Sequence, residues 1–418
     1  MRLFISVSIL ILVSCNTKPF TSTSKTDHLL SLINEDHPLL KSVFENPNDF
    51  EVQILYTQIN RDANNKAHFN QINYRVNEKE YFYPASSVKM PTAFAAIELI
   101  QAINSEYGID IFSPLQIDSI SKEQSPVTND ETSADGNASI AHYVKRIFAV
   151  SDNDAYNRLY EFCGQARLNN LLQSKGLAHT VIRHRLSAPG FNVKSNQLTN
   201  PFKIKGSKKD YFQLAMLSNA KHIPKLTNTS KGNGFIKNGI LVNEPIDFSE
   251  KNYISLKDNT GCLQRILFPT AFSQKEQFEI DQAGLNYLYK CMSIFPRESA
   301  FPTYKEEDYE DSYVKFFLFG DAKKRIPNHI RIFNKVGYAF GYLTDIAYIV
   351  DFKNKVEFML SATIHVNKNQ IYNDNIYEYD SIGIPFLAEL GRQVYKYELI
   401  RKRPYPPNLE KFEKIIYK

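Results

Sequence analysis

A serine and a lysine three positions apart have the residue types and the spacing that covalent catalysis requires. The stretch YFYPASSVKM, residues 81–90, places Ser86 three positions before Lys89 and Ser87 two positions before it. Residues three apart share one face of a helix, whereas residues two apart do not. A serine hydroxyl becomes a strong nucleophile when a neighbouring base removes its proton. We therefore expect Ser86 to be the nucleophile, Lys89 to be its base, and Ser87 to point elsewhere.

The residues around this pair predict a buried helix that would hold both side chains. Pro84 suits the first turn of a helix, where a missing backbone N–H costs nothing. The run MPTAFAAIELIQAI that follows is apolar enough for a helix inside the protein. Burial disfavours a charged amine, so the pKa of Lys89 would fall toward the range of a useful base.

Two further short motifs follow in the chain, Ser151-Asp152-Asn153 and Lys335-Val336-Gly337. Each motif alone is weak, because Ser-x-x-Lys occurs often by chance and Ser-Asp-Asn is common at helix N-caps. Together and in this order, S-x-x-K, S-D-N and K-T-G are the signature of class A β-lactamases and penicillin-binding proteins. The chain resembles the class A β-lactamase-like serine hydrolases over roughly residues 25–400.

The resemblance implies a role for each motif residue. Ser151 would pass a proton to the leaving nitrogen, and Asn153 would hold a substrate amide. Lys335 would attract the substrate carboxylate and act as a second cation near Lys89.

Backbone groups would complete the predicted site. The N–H groups of Ser86 and Tyr338 would form the oxyanion hole. Gly337 would let the substrate lie close to its strand.

Two departures from the family pattern affect the expected chemistry. Val336 stands where the family has a hydroxyl residue, which removes one contact to the substrate carboxylate. Class A enzymes also carry a deacylating glutamate after the second motif, but residues 162–209 contain no Asp or Glu. Leu186 or Ser187 falls near the place of that glutamate, and Glu161 on the preceding helix is expected to be a surface charge. The sequence thus predicts acylation without efficient deacylation.

Alternating and helical patterns predict an α/β (α+β) fold of the β-lactamase/transpeptidase type. Two strands are expected within residues 50–77 and three within 330–366, with turns at Gly337 and at 351–355. Helices are expected between the two groups, including one at 209–220, and a last helix at 377–402. The two groups of strands would form one antiparallel sheet flanked by helices. A mostly helical subdomain would be inserted at about residues 222–330.

The composition and the cysteine spacing give no indication of nucleic-acid, metal or cofactor binding. A net charge of +5 over 418 residues, without zinc-finger spacing or a glycine-rich phosphate loop, does not indicate a nucleic-acid partner, a metal or a cofactor. Cys163, Cys262 and Cys291 are far apart and lack metal-ligand spacing, so we expect buried thiols.

The first residues have the pattern of a targeting segment. MRLFISVSILILVSC combines one arginine, an apolar run and Cys15, and its last four residues resemble a bacterial lipobox. We expect a lipoprotein signal peptide at 1–14, lipidation of Cys15, a tether at 15–26 and a catalytic domain at 27–418. The protein would then be anchored in the bacterial cell envelope, facing the periplasm or the exterior. An ordinary secretory signal with a chance cysteine is the alternative.

Three functions remain open on the sequence. The first is a lipid-anchored serine acyl hydrolase that attacks a β-lactam or a related small-molecule or peptide amide or ester. The second is a penicillin-binding or D-alanyl peptidase-like enzyme. The third is a binding lipoprotein that has the same fold and no catalysis.

Overall fold

The computed structural model describes residues 37–218 and 224–417, together with Leu29, Ser31 and Ile33. The predicted signal peptide, Cys15 and the tether lie outside the described residues. Within the described part of the chain, no helix combines the length and the apolar composition needed to cross a bilayer.

A five-stranded antiparallel sheet forms the centre of the fold. Its strands are β1 (Gln53–Arg61), β2 (Ala67–Tyr74), β3 (Ile330–Ala339), β4 (Tyr342–Asp351) and β5 (Val356–His365). The spatial order is β3-β4-β5-β1-β2, so β1 from the N-terminal part pairs with β5 from the C-terminal part. This arrangement confirms the prediction of one sheet built from both ends of the chain. It also leaves β3, the strand of the third motif, at an edge.

The turn between β3 and β4 corrects one sequence prediction. Gly337 does not lie in a turn, because it pairs with Thr344 inside the β3–β4 ladder. The reversal occurs at Phe340-Gly341, where both residues have positive φ angles of 56° and 81°. Two positive φ angles are the requirement of a tight two-residue hairpin, and this fixes the register of the motif strand.

Helices cover both faces of the sheet. The longer helices of the described residues are α1 (Pro38–Glu45), α2 (Lys89–Ala102), α3 (Ile140–Val150), α4 (Asn153–Cys163), α5 (Gln165–Ser174), α6 (Leu256–Leu267), α7 (Gln282–Ser293) and α8 (Ile384–Ile400). Side chains of α2 to α7 share one apolar core with one face of the sheet. Those of α1 and α8 form a second core with the other face. We call these the front face and the back face.

The region 224–330 is not a separate, mostly helical subdomain, as the sequence patterns had suggested. Its first part forms short strands, which include Ser230–Lys231, Gly234–Lys237 and Tyr253–Ile254. These pair in part with distant segments, for example Tyr253–Ile254 with Thr180–Val181. Its helices α6 and α7 contribute to the front-face core. The helix predicted at 209–220 is also wrong, since Tyr211–Gln213 is a strand paired with Phe202–Ile204.

The cysteines within the described residues behave as predicted. Cys163, Cys262 and Cys291 are free and buried. Burial raises the pKa of each thiol, that of Cys163 to about 12, so they pack as apolar side chains.

Candidate active site

The two neighbouring serines have separate environments, as the helical spacing predicts. Ala85–Val88 form a short 3₁₀ turn that leads directly into α2. Ser87 is fully buried, and its hydroxyl donates to the carbonyl of Pro84 at 2.7 Å. Ser86 is half-buried and lines an open cavity. Ala85 has a positive φ of 46°, a strained conformation that is often found beside reactive groups.

Lys89 is enclosed at the start of α2 and faces the second motif. Its Nζ donates to the carbonyl and, at 3.3 Å, to the Oγ of Ser151, and to the Oδ1 of Asn153 at 2.7 Å. Burial lowers the pKa of Lys89 to about 7, although the Asp152 carboxylate acts in the opposite direction. The amine therefore can be neutral near physiological pH. Lys89 and Ser86 make no mutual hydrogen bond in the described structure, a common state of catalytic pairs without substrate.

The second motif is the junction of two helices. Helix α3 ends at Val150, and its C-cap Ser151 has a left-handed φ of 59°. Asp152 then caps α4 by accepting a hydrogen bond from the N–H of Ala155 at 2.9 Å. The same carboxylate binds Arg146 at 2.7 Å. These contacts fix a strained residue, so the Ser151 hydroxyl has a defined position beside Lys89.

Lys335 joins the third motif to the second. Its Nζ donates to Ser151 Oγ and to the carbonyl of Val336, both at 2.8 Å. Burial lowers the pKa of Lys335 well below its usual range, and the nearby Lys89 lowers it further. The predicted second cation is thus adjacent to the predicted base. Val336 packs in the back-face core and offers no hydroxyl to the site.

The edge position of β3 leaves the predicted oxyanion donors unpaired. Ala339 and Tyr342 close the hairpin as a hydrogen-bonded pair, so Tyr338 belongs to the next, non-hydrogen-bonded pair and its N–H points away from β4. The N–H of Ser86 has no acceptor among the described residues. A Cβ on Gly337 would come within 2.8 Å of the Ser86 nitrogen. Strand and nucleophile are in close contact, and glycine permits it.

A buried polar network behind the motif strand was not predicted. Lys315 donates to Asn334 Oδ1 at 2.6 Å, and Asn334 donates to Asp345 Oδ1 at 2.8 Å. Asp345 also accepts from the N–H groups of Phe316 and Phe317. The network ties the segment before β3 to the back of that strand. Lys315 lies in an aromatic run without a motif, so the sequence carried no signal for it.

A cavity of about 760 Å³ extends from Ser86 between the end of β3 and the loop at residues 183–197. Leu186 lines this cavity, and its backbone N–H and C=O bind the side chain of Asn157 at 2.8 and 3.0 Å. The Oγ of Ser187 accepts from Nδ2 of Asn153 at 2.9 Å. The loop thus reaches the site where the sequence placed it. The contacts of Asn157 with Leu186 and of Asn153 with Ser187 were not predicted from the sequence, because each joins residues some 30 positions apart.

Glu161 corrects the expectation of a surface charge. It is 2% exposed and binds Arg185 at 2.6 Å and Arg158 at 3.2 Å. This carboxylate anchors the loop and is occupied by two guanidinium groups. Glu250 is the acid in the described cavity lining, and it pairs with Arg183 at 2.9 Å. The described site therefore contains a half-buried serine hydroxyl, two lysines and backbone donors, but no unpaired carboxylate in the cavity lining.

Solved structures with similar folds cover most of the chain at low identity. A beta-lactamase from Sphaerobacter thermophilus matches with 10% identity and a TM-score of 0.48, over 90% of this chain and 98% of its own. A beta lactamase from Xanthomonas campestris matches with 14% identity and a TM-score of 0.47, over 89% and 98%. A structure described as PBP-A matches with 15% identity and a TM-score of 0.45, over 90% and 96%. No curated protein matches the sequence.

The family model gives the stronger result. The model of the beta-lactamase enzyme family matches residues 40–280, which is more than half of the 418-residue chain. The matched part contains the Ser86–Lys89 and Ser151–Asn153 motifs, whose side chains meet in the structure. The mixed fold, with helices on an antiparallel sheet, is the one that the sequence resemblance implied. The chain belongs to the beta-lactamase enzyme family.

Proposed function

We propose that the protein is a serine acyl hydrolase that forms a covalent acyl-enzyme on Ser86. The observation that carries the proposal is the contact of Lys89 and Lys335 with one hydroxyl, that of Ser151, beside the half-buried Ser86 that lines the cavity. Two lysines enclosed together cannot both stay charged without cost, and burial lowers the pKa of Lys89 to about 7. A neutral amine three residues from Ser86 supplies the base that a serine nucleophile needs.

Ser86, Lys89 and Ser151 account for each bond and proton transferred in the acylation step. Neutral Lys89 takes the Ser86 proton as Oγ attacks the carbonyl carbon of an amide or ester. The N–H groups of Ser86 and Tyr338 stabilise the oxyanion. Lys89 then returns the proton through the Ser151 hydroxyl to the leaving nitrogen or oxygen, and the acyl group remains on Ser86. Lys335 holds Ser151 in place and can donate a hydrogen bond to a substrate carboxylate.

We propose further that the acyl-enzyme is long-lived. Hydrolysis of the ester needs a base that activates water, and the described cavity lining offers no free carboxylate. Leu186 and Ser187 occupy the part of the loop that faces Asn153 and Asn157. This favours behaviour closer to a penicillin-binding protein than to an efficient β-lactamase. The proposed substrate class is a β-lactam, a peptidoglycan-type peptide or a related amide or ester.

The proposed location follows from the sequence alone. The apolar segment that ends at Leu12-Val13-Ser14-Cys15 supports lipidation of Cys15 and an anchor in the bacterial cell envelope. The enzyme would face the periplasm or the exterior, where peptidoglycan-type substrates occur.

Labelling with a fluorescent penicillin tests the enzymatic proposal against the alternative of a binding protein. Wild-type protein and Ser87→Ala should be labelled, and Ser86→Ala should not. Ser87→Ala is the matched control, since it removes an adjacent hydroxyl that the structure uses for a backbone contact. Failure of wild type to react with any penicillin or fluorophosphonate would favour a non-catalytic binding protein.

A further inference from the structure

The lining of the cavity beside Ser86 indicates which part of a substrate the cavity would hold. Tyr338, Ala339 and Phe340 form one side of it, and the loop at 183–197 forms the other. Lys335 and Ser151 are not part of its lining. In the proposed mechanism Ser151 delivers the proton to the leaving group, so the leaving group lies on the Ser151 side. The cavity must then receive the acyl part of the substrate.

The charged side chains that line this cavity leave an excess of positive charge. Arg183 is neutralised by Glu250 at 2.9 Å, and Arg185 by Glu161 at 2.6 Å. Lys251 also lines the cavity, and its ammonium has no hydrogen bond or ion pair with any described residue. An anionic ligand in the cavity would supply the partner that this half-buried ammonium lacks. The cavity therefore suits an anion and opposes a cation.

The position of Lys251 is built into the fold. Its neighbour Asn252 is fully buried and accepts from the N–H groups of Arg183 and His184 at 2.8 and 3.1 Å. Asn252 also donates to the carbonyl of His184 at 3.2 Å. The backbone N–H of Lys251 binds the carbonyl of Phe248 at 2.9 Å. The segment is thus docked on the loop, and the lysine enters the cavity from a fixed backbone.

His184 adds a second unsatisfied group to the same wall. Its Nδ1 lies 2.6 Å from the carbonyl of Arg185, which can only accept, so Nδ1 carries the proton. The opposite nitrogen, Nε2, is buried and has no hydrogen-bond partner among the described residues. Burial lowers the pKa of His184 to about 4, and the positive charges of Lys251 and Arg183 act in the same direction. This imidazole is therefore neutral, and the positive charge on the wall comes from Lys251.

We propose that Lys251 selects acyl donors that carry a carboxylate in their acyl portion. This inference rests on the proposed function, because it assigns the cavity to the acyl side of the Ser86 reaction. A substrate carboxylate in the cavity would form a charge-assisted hydrogen bond with the Lys251 ammonium. A substrate ammonium at the same place would be repelled by the Lys251 ammonium, which has no anionic partner among the described residues. Recognition at this point is separate from the carboxylate contact assigned to Lys335, which lies on the leaving-group side.

Three penicillins that differ at one side-chain carbon test the inference. That carbon carries hydrogen in benzylpenicillin, a carboxylate in carbenicillin and an ammonium in ampicillin. Intact-mass measurement of adduct formation should give wild-type rate constants in the order carbenicillin, benzylpenicillin, ampicillin. The first and last should differ by about tenfold or more, the usual effect of a hydrogen bond to a charged group.

Three variants separate the effect of the Lys251 charge from the effects of changing any lysine near the cavity. Lys251→Gln should bring the three rates together, and Lys251→Arg should keep their order. Lys194→Gln, which changes an exposed lysine on the loop at 183–197, should leave the order unchanged. Thermal melting would confirm that each variant is folded. Equal wild-type rates for the three compounds would overturn the inference and leave the proposed function intact.

A binding measurement distinguishes the absence of acylation at Ser86 from the absence of carboxylate recognition by Lys251. Calorimetry with Ser86→Ala requires no reaction, and it should show tighter binding of carbenicillin than of ampicillin. If wild type forms no adduct but Ser86→Ala shows a preference that Lys251→Gln abolishes, the enzymatic proposal is wrong, and Lys251 binds a carboxylate ligand without selecting an acyl donor. If neither measurement shows a preference for the carboxylate, the inference is wrong.

Discussion

The charge of Asp152 should set the pH at which the protein becomes reactive. Asp152 is the group that raises the pKa of Lys89 against the larger effect of burial, which lowers it to about 7. The base must be neutral, so acylation should rise with pH through this value. For a pKa of about 7, the neutral fraction of Lys89 is about one tenth at pH 6, about half at pH 7 and about nine tenths at pH 8. Wild-type acylation should therefore increase about tenfold between pH 6 and pH 8.

Replacing Asp152 with asparagine removes the charge and keeps the shape. Asparagine is an equally good N-cap, so the hydrogen bond from Ala155 can persist. Arg146 loses one partner but keeps Asp130 at 3.0 Å. Without the carboxylate, the charged form of Lys89 is less stable and its pKa falls. The midpoint of the pH–rate profile should move to lower pH, and Asp152→Asn should react faster than wild type at pH 6.

Rate constants for adduct formation with one penicillin, measured from pH 5 to pH 9, test this shift. Asp154→Asn is the matched control, because Asp154 lies at the start of the same helix, is half-exposed and pairs with Arg158. Its midpoint should equal that of wild type. An unchanged or higher midpoint for Asp152→Asn, with the fold intact by thermal melting, would refute the assignment of Lys89 as the neutral base.

Three other predictions concern the base, the loop and the anchor. Lys89→Ala should slow adduct formation by about 10²–10⁴-fold, the usual range for a positioned acid–base group, and an effect below about tenfold would mean that another group takes the proton. Leu186→Glu should shorten the adduct lifetime measured by intact mass, since Asn157 fixes its backbone beside the cavity; Val193→Glu, at an exposed position of the same lining, should not. Cys15→Ser should shift the protein from the membrane fraction to a soluble or unprocessed form, whereas unchanged fractionation would indicate a plain secretory signal.

Local spacing was enough to separate the two serines. The three-residue interval to Lys89 predicted that Ser86 would face the site and that Ser87 would not, and the structure shows Ser87 buried against Pro84. The same reasoning also located a lysine whose pKa burial lowers, because an apolar helix follows directly. Periodicity identified the strands of the central sheet for a similar reason, since one face of each strand packs on the core.

Features that depend on contacts between residues far apart in the chain could not be predicted from the local sequence. Glu161 was expected at the surface, but Arg185, twenty-four residues later in the chain, neutralises it inside the protein. The region at about 222–330 was expected to be mostly helical, but within it Ser230–Lys231 and Tyr253–Ile254 become strands only through their pairing partners. Gly337 was expected in a turn because glycine favours turns. Its actual role is close contact between β3 and the Ser86 backbone.

Mapping the adduct to one serine tests the central claim most directly. Trypsin should release residues 80–89 as one peptide, which contains both Ser86 and Ser87. After reaction of the wild-type protein with benzylpenicillin, fragmentation of this peptide should place the added mass on Ser86, and the intact adduct should persist for minutes or longer. Added mass on Ser87, or no modification of this peptide while another site is labelled, would contradict the assignment of Ser86 as the nucleophile.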